Sequence, residues 1–169
     1  MHIIDSHFHW WPRSIFEKLC KRKGYPHAVP DGKGGYQYLR QEEASDYVMN
    51  VWPAWFNLDE QLAHMDGLGH QVDVVCSIGP FSVCFSELPT EEGRDYAIAW
   101  NEEMAGAQKR YPGRVWASAA VPLQDTQVAI EVVDDAVNRL GLMGVNLPGS
   151  IGSDPRIDQE RLEPFYDHV

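Results

Sequence analysis

Short apolar runs alternate along the chain with longer segments in which apolar residues recur every three or four positions. The apolar runs lie at 1–8, 72–78, 115–121 and 142–147. Runs of this length and composition are typical of strands covered on both faces, whereas the three- and four-residue spacing predicts amphipathic helices. Because parallel strands need a crossover connection, the alternation predicts an α/β fold with a parallel sheet.

Helix starts are marked by residues that can cap a helix or begin its first turn. Asn, Thr and Asp side chains accept hydrogen bonds from first-turn N–H groups, and proline is favoured at the first helical position. On this basis helices are predicted to begin near Arg13, Asn57, Thr90, Asp125 or Thr126, and Pro164. The segment 24–56 shows neither period and mixes glycine and proline with aromatic residues, so we predict an irregular excursion with a hairpin as one option.

The end of the first strand favours a barrel over a doubly wound sheet. A doubly wound sheet binds phosphate through a glycine-rich loop at this point, but here the strand runs into His7-Phe8-His9-Trp10-Trp11. A (β/α)8 barrel has eight βα units in ~250 residues, so 169 residues carry about the first four. We therefore predict that 1–169 is the N-terminal half of a single TIM-barrel domain, interrupted by the excursion at about 24–56, and that the chain is truncated.

Composition narrows the class of protein and its partners. Hydrophobic residues make up 44% of the chain and charged residues 23%, as in ordinary globular proteins. The excess of 25 acidic over 14 basic residues gives a net charge of -11, which repels phosphate backbones and anionic lipid surfaces. We therefore expect neither nucleic acid nor a membrane as a partner.

The N-terminus and the cysteines indicate a compartment. The first residues do not follow the pattern of a secretory signal, and no apolar run approaches the ~20 residues that cross a bilayer. Cys20, Cys76 and Cys84 form no CxxC pair, which suits reduced thiols that pack in the core. These features predict a cytoplasmic protein.

Two histidines at the end of the first strand are the strongest candidates for chemistry. Successive strand residues point to opposite faces, so His7 and His9 share one face. They can converge on a single ion at ~2.0–2.1 Å if it is zinc, and catalytic residues of barrels lie at strand ends. The alternative is that hydrogen bonds to protein groups satisfy both rings, because an HxH pair also arises by chance.

Several motifs in matching order resemble one enzyme family. They are Ile4-Asp5-Ser6-His7-Phe8-His9, Pro12-Arg13, Met65-Asp66-Gly67, Tyr111-Pro112-Gly113-Arg114-Val115 and Val121-Pro122-Leu123-Gln124-Asp125. The set resembles the amidohydrolase-related metal-dependent decarboxylases of the amidohydrolase superfamily, and among them the aminocarboxymuconate semialdehyde decarboxylases. The resemblance spans nearly the whole chain and implies a TIM barrel of the metal-dependent hydrolase type.

The resemblance also implies a metal site. In this family the two histidines after the first strand bind one divalent ion, usually zinc, which makes His7 and His9 metal ligands here. A histidine after the fifth strand and an aspartate after the eighth complete the family's site. These ligands, and the general acid or base, are expected beyond this sequence, so the catalytic residues are unknown. Binuclear members carry a carboxylated lysine at the fourth strand, where this chain has Gly144-Val145-Asn146-Leu147, so the resemblance implies a mononuclear site.

From this resemblance we expect a non-oxidative decarboxylase, a carbon-carbon lyase that acts on a small unsaturated or aromatic carboxylic acid. One alternative is a mononuclear metal-dependent hydrolase of a lactone or amide, because a metal with an open coordination position can serve either reaction. An alternative of another class is a non-catalytic half-barrel that associates with itself, because four parallel strands leave two unpaired edges. We also expect a homo-oligomer.

Five further residues are candidates for binding the acid. Trp10, Trp52 and Phe81 lie in segments expected near the barrel mouth, where their rings could pack on a planar substrate, although a lid or ordinary packing explains them equally well. Arg13 could contact an acidic group, and its alternative is a surface charge at a helix start. Asn146 ends the fourth strand and either binds the substrate or closes the adjacent loop.

Overall fold

The computed structural model describes residues 2–39, 48–79, 82–151 and 154–169. The chain divides into two compact units: unit 1 comprises Met1–Ile3 and Trp10–Val72, and unit 2 comprises Ile4–His9 and Asp73–Val169. Strand β1 (His2–His9) has residues in both. The organisation of 1–169 as a single domain stays a prediction.

The described residues form strands and helices in both units. Unit 1 contains α1 (Arg13–Leu19), β2 (His27–Pro30), β3 (Tyr36–Leu39), β4 (Val48–Val51), a 3-10 helix (Pro53–Phe56) and α2 (Leu58–Asp66). Unit 2 contains most of β5 (Gln71–Ser77), followed by α3 (Ser82–Glu87), α4 (Thr90–Arg110), β6 (Val115–Ala120), α5 (Thr126–Asp134) with a π-helical extension (Asp135–Arg139), β7 (Gly144–Asn146), a 3-10 helix (Glu160–Leu162) and α6 (Glu163–His168). Within these ranges, no helix combines the length and the apolar character needed to cross a bilayer.

The main sheet has the strand order β1-β5-β6-β7 within the described residues. Strand β5 pairs in parallel with β6, with Val74 opposite Val115, and β6 pairs in parallel with β7, with Ala120 opposite Asn146. Helices α4 and α5 lie in the connections between these strands, which are the crossovers that parallel pairing requires. The predicted α/β fold with a parallel sheet is therefore confirmed.

Burial differs from strand to strand in this sheet. Residues of β5 and β6 such as Val74, Cys76 and Ala119 are fully buried, as predicted for covered strands. In β1 only Phe8 is buried, and the Ile4 side chain is 64% exposed, so the prediction of a buried first strand was wrong. The physical reason is that β1 is the end strand of the sheet and has one neighbouring strand instead of two.

The capping signals in the sequence agree with two of the helix starts. Asn57 accepts a hydrogen bond from the amide of the third residue after it at 3.2 Å, and Asp125 does the same at 3.0 Å, so both predicted caps are confirmed. The predicted cap at Thr90 was wrong, because Pro89 occupies the cap position with an extended ψ and Thr90 is the first helical residue.

The segment predicted as an irregular excursion contains regular structure. Strands β2, β3 and β4 form an antiparallel sheet in which Tyr36 lies opposite Val51. The Phe16 ring of α1 lies 5.6 Å from the Tyr36 ring and 5.3 Å from the Phe56 ring, measured between centroids. Tyr36 and Tyr38 of this segment are buried and therefore belong to the core of unit 1.

A buried amide joins α4 to the end of β6. Asn101 is 1% exposed. Its Nδ2 donates to the Ala120 carbonyl at 3.0 Å, and its Oδ1 accepts from the Ala120 amide at 2.8 Å. The amide and carbonyl of Ala120 therefore have hydrogen-bond partners where water does not reach them. These two bonds hold the end of the strand against the helix.

Replacing Asn101 by alanine should lower the free energy of unfolding by about 2–4 kcal/mol, because the amide and carbonyl of Ala120 would be buried without partners. Urea denaturation followed by circular dichroism measures the loss. Gln108 is the matched control, since its side chain also bonds to two backbone groups but is more exposed to water. Gln108→Ala should cost less than half as much, and equal losses would contradict the role assigned to Asn101.

Candidate metal centre

Three strands of the main sheet end at one cavity in unit 2. His9 is the last residue of β1, Ser77 is the last residue of β5, and Asn146 is the last residue of β7. The cavity has a volume of about 430 Å³ and is lined by Ser6, His7, His9, Val75, Ser77, Gly79, Ser118, Val145, Asn146, Leu147, Pro148 and Gly149. The structure thus brings Asn146 close to the two histidines, although it is far from them in the sequence.

The two imidazole rings lie side by side at this cavity. The His7 and His9 ring centroids are 4.8 Å apart and their planes are inclined by 71°. Two imidazoles that share one ion through bonds of about 2.0–2.1 Å have ring centres roughly 5 Å apart at near-tetrahedral angles. The separation of these rings therefore fits a shared divalent ion.

His9 is oriented by the last residue of the neighbouring strand. Its Nδ1 lies 3.3 Å from the Ser77 carbonyl oxygen and 3.1 Å from Ser77 Oγ. Because a carbonyl oxygen can only accept a hydrogen bond, this contact favours the tautomer with the proton on Nδ1. The Nε2 lone pair is then the one that can bind a metal, which is the usual arrangement of a histidine ligand whose second nitrogen donates to the protein.

Two other polar side chains of the cavity differ in how they are satisfied. Ser118 Oγ donates to the Cys76 carbonyl at 3.2 Å. The Asn146 Oδ1 atom is buried and has no hydrogen-bond partner within the described structure. A buried acceptor without a partner costs free energy, so this oxygen suits a donor group on a bound molecule.

The two histidines alone are too few to make a complete metal site. No group of three or more His, Cys, Asp or Glu side chains within the described ranges could hold an ion together. A catalytic zinc site has three protein ligands and one open position, so His7 and His9 need at least one more ligand. The separation of the imidazoles and the contact of His9 Nδ1 with the Ser77 carbonyl fit such an ion.

Three of the residues predicted to bind substrate belong to unit 1. Trp10 Nε1 donates to the Phe56 carbonyl at 3.0 Å. The Arg13 guanidinium lies 4.6 Å from the Phe56 ring centroid and donates to the Gly34 carbonyl at 3.0 Å. Trp52 is 58% exposed. Phe81 lies outside the described residues, and a substrate-binding role for all four stays a prediction.

Two residues beside His9 in this cavity were not among the site residues predicted from the sequence. Ser77 was read only as part of a buried strand, and Gly79, with φ of +61°, follows it by two residues. The signal that could have found them is their position, because residues just after a buried parallel strand lie at the edge where sites form.

Cys76, the residue before Ser77 in β5, has an unreactive thiol. It is fully buried, and burial together with the Asp5 carboxylate raises the pKa of its thiol to about 12. A thiol of this kind is protonated at neutral pH and is a poor nucleophile. This agrees with the interpretation of Cys76 as a packing residue.

The chain has the fold of several solved proteins, although no protein-family model matches it. It is 19% identical to an amidohydrolase-type protein from Staphylococcus aureus, with a TM-score of 0.67, covering 99% of this chain and 44% of that protein. It is 16% identical to 5-carboxyvanillate decarboxylase from Sphingomonas paucimobilis, with a TM-score of 0.69 and coverages of 99% and 48%. It is 18% identical to a dihydroxybenzoic acid decarboxylase from Polaromonas sp. JS666 with bound manganese and an inhibitor, 2-nitroresorcinol, with a TM-score of 0.60 and coverages of 99% and 45%.

These likenesses establish the fold. The parallel sheet and its helices form a half-barrel that matches part of the TIM barrel of these proteins, so the predicted fold is confirmed. The chain spans less than half the length of each of them. Proteins of this fold include both decarboxylases and amidohydrolase-type proteins.

The raised pKa of Cys76 predicts a loss of stability in alkali. Since the folded state keeps the thiol protonated up to about pH 12 and the ordinary thiol pKa is about 9, this stabilisation is complete below pH 9 and is lost as the pH rises from 9 towards 12. Denaturation of the wild type and of Cys76→Ala between pH 8 and pH 11 should show a steeper decline for the wild type. The same comparison with Cys20→Ala should show a smaller difference, because Cys20 is less buried. Parallel pH profiles for the wild type and Cys76→Ala would contradict the prediction.

Proposed function

We propose that this protein is a metal-dependent non-oxidative decarboxylase, a carbon-carbon lyase acting on a small unsaturated or aromatic carboxylic acid. The observation that carries the proposal is the pair of imidazoles, with ring centres 4.8 Å apart, at a cavity where three strands end. In barrels of parallel strands this edge is where catalytic groups lie.

His7 and His9 are the proposed ligands of one divalent ion, with zinc as the proposed metal. When bound, the ion supplies Lewis acidity that polarises a substrate oxygen. The dihydroxybenzoic acid decarboxylase from Polaromonas contains manganese, which supports a divalent metal in this fold without selecting zinc. Ser77 holds the His9 ring through Nδ1 and so leaves Nε2 as the nitrogen that would bind the ion.

The remaining residues of the cavity orient the substrate. The Asn146 Oδ1 atom can accept a hydrogen bond from a substrate hydroxyl, because it has no partner of its own in the described structure. None of the described residues that line the cavity has a carboxylate or ammonium side chain. The proton that replaces carbon dioxide on the substrate carbon therefore has to be delivered by a group outside this set.

The solved proteins of the same fold support the proposed substrate class. Those named as decarboxylases act on carboxyvanillate and dihydroxybenzoic acid, which are hydroxylated aromatic acids. An acid of this class carries both a carboxylate for the metal and a hydroxyl for Asn146. Trp10, Arg13, Trp52 and Phe81 are the proposed further contacts of the substrate.

A second candidate function is a mononuclear metal-dependent hydrolase that adds water to a lactone or amide. The amidohydrolase-type protein from Staphylococcus aureus has the same fold, which supports this candidate. A third candidate is a self-associating half-barrel without catalysis, and it is supported by the exposed Ile4 side chain on the end strand β1. A homo-oligomer is the proposed assembly.

Metal binding tests the proposed ligands directly. Titration of the metal-free protein with Zn²⁺ in a calorimeter should show binding to the wild type, and His7→Ala or His9→Ala should each weaken it at least tenfold, because each removes a ligand from a site that has few. His64→Ala removes an exposed histidine of α2 and should leave the affinity unchanged. Wild-type affinity in both His7→Ala and His9→Ala would refute the site.

Product analysis separates the candidate reactions. The zinc- or manganese-loaded protein should release carbon dioxide from 2,6-dihydroxybenzoate or another hydroxybenzoate, and chelation should abolish the release because the polarising cation is removed. Hydrolysis of lactones or amides without carbon dioxide release would favour the second candidate. Absence of both reactions, in a protein that includes any residues following Val169, would favour the non-catalytic half-barrel.

A further inference from the structure

We infer that Ser77 and Gly79 form a socket that holds the His9 imidazole in the orientation needed to bind the metal. The inference rests on the proposed function, since it concerns how that site is built. Both residues act through His9, so they are positioning residues and not catalytic ones. The socket consists of one hydrogen-bonding wall, supplied by Ser77, and one wall without a side chain, supplied by Gly79.

The Ser77 wall determines which ring nitrogen is left to bind an ion. The Ser77 carbonyl oxygen and Oγ lie 3.3 Å and 3.1 Å from His9 Nδ1, so two oxygen atoms of one residue converge on one ring nitrogen, and the carbonyl oxygen can only accept. A proton on Nδ1 satisfies both contacts, whereas an unprotonated Nδ1 would face the carbonyl lone pairs. With Nδ1 as the donor to Ser77, Nε2 is the ring nitrogen that is left to bind an ion.

The Gly79 wall leaves space for the ring itself. A Cβ at this position would lie 2.5 Å from His9 Cε1, 2.8 Å from Nδ1 and 3.0 Å from Nε2. Contacts this short do not occur between non-bonded atoms, so any side chain at this position has to displace the ring. The imidazole is the part that moves, because rotating a side chain costs less than shifting the backbone of a packed strand end.

The two walls together explain why displacement would cost metal affinity. A ring turned away from Gly79 loses its alignment with Ser77 and also changes its separation from the His7 ring, which is 4.8 Å in this structure. Groups that orient a histidine ligand commonly contribute ten- to a hundredfold in metal affinity. A substitution at Ser77 or Gly79, neither of which is a proposed ligand, would therefore weaken the binding of the metal.

The test compares two glycines that have similar backbone conformations but different atoms around the position of an added Cβ. Gly79 has φ of +61° and Gly113 has φ of +74°, so alanine is strained in the same left-handed region at both positions. A Cβ on Gly113 would meet no atom within 4 Å, which makes Gly113→Ala the matched control for backbone strain.

Zn²⁺ titration of the metal-free protein should show a ten- to hundredfold weaker affinity for Gly79→Ala and an affinity within about twofold of the wild type for Gly113→Ala. Ser77→Ala keeps the carbonyl contact and loses only Oγ, so its loss should be smaller than that of Gly79→Ala. Equal affinities for Gly79→Ala and the wild type would overturn the inference and leave the proposed metal site intact. No zinc binding by the wild type would instead refute the metal site, and the inference with it.

A second measurement needs neither metal nor activity. In the metal-free protein, ¹⁵N NMR of the histidine rings should show His9 as the Nδ1-protonated tautomer, with the signal identified by its absence in His9→Ala. Gly79→Ala should shift the His9 ring signals and Gly113→Ala should not. A His9 ring that is protonated on Nε2, or is unaffected by Gly79→Ala, would show that the socket does not orient it.

Discussion

The contact between the His9 ring and Ser77 is the interaction on which the candidate centre depends. Since Nδ1 lies within 3.3 Å of two Ser77 oxygens, the direction of the ring is set by the end of β5 and not by β1 alone. A ligand ordered in advance loses less conformational freedom when an ion binds. The arrangement of the two imidazoles is therefore a property of the sheet, although both belong to one short stretch of sequence.

The sheet must then hold its strand ends in place, and the packing of unit 2 does so. Helix α4 lies against β6, and its residues Trp100 and Met104 are fully buried. Asn101 satisfies both backbone groups of Ala120 at the end of β6. A close-packed interior deforms little, so the backbone of the residues beside the cavity is fixed and only their side chains can rotate.

The polar groups that line the cavity suit the binding of a cation. They do not by themselves suit the binding of an anion. Its described lining has imidazole, hydroxyl and amide groups, and the chain carries a net charge of -11. Neutral imidazoles are good ligands for a divalent ion. Without the proposed ion, the net negative charge of the protein would repel a negatively charged substrate. The positive charge of the ion would offset this repulsion and attract a carboxylate.

The sequence by itself determined the alternation of strands and helices, the caps at Asn57 and Asp125, and the placing of two histidines on one strand. These features are encoded within a few neighbouring residues, through the periods of strand and helix and the reach of a capping side chain. The tertiary structure alone decided that His9 meets Ser77, 68 residues away, and that Gly79 leaves room for its ring. It also decided that β1 is an exposed end strand and that Tyr36 and Tyr38 are buried on an antiparallel sheet. Such outcomes depend on which distant segments pack together, and no local pattern of residues records that choice.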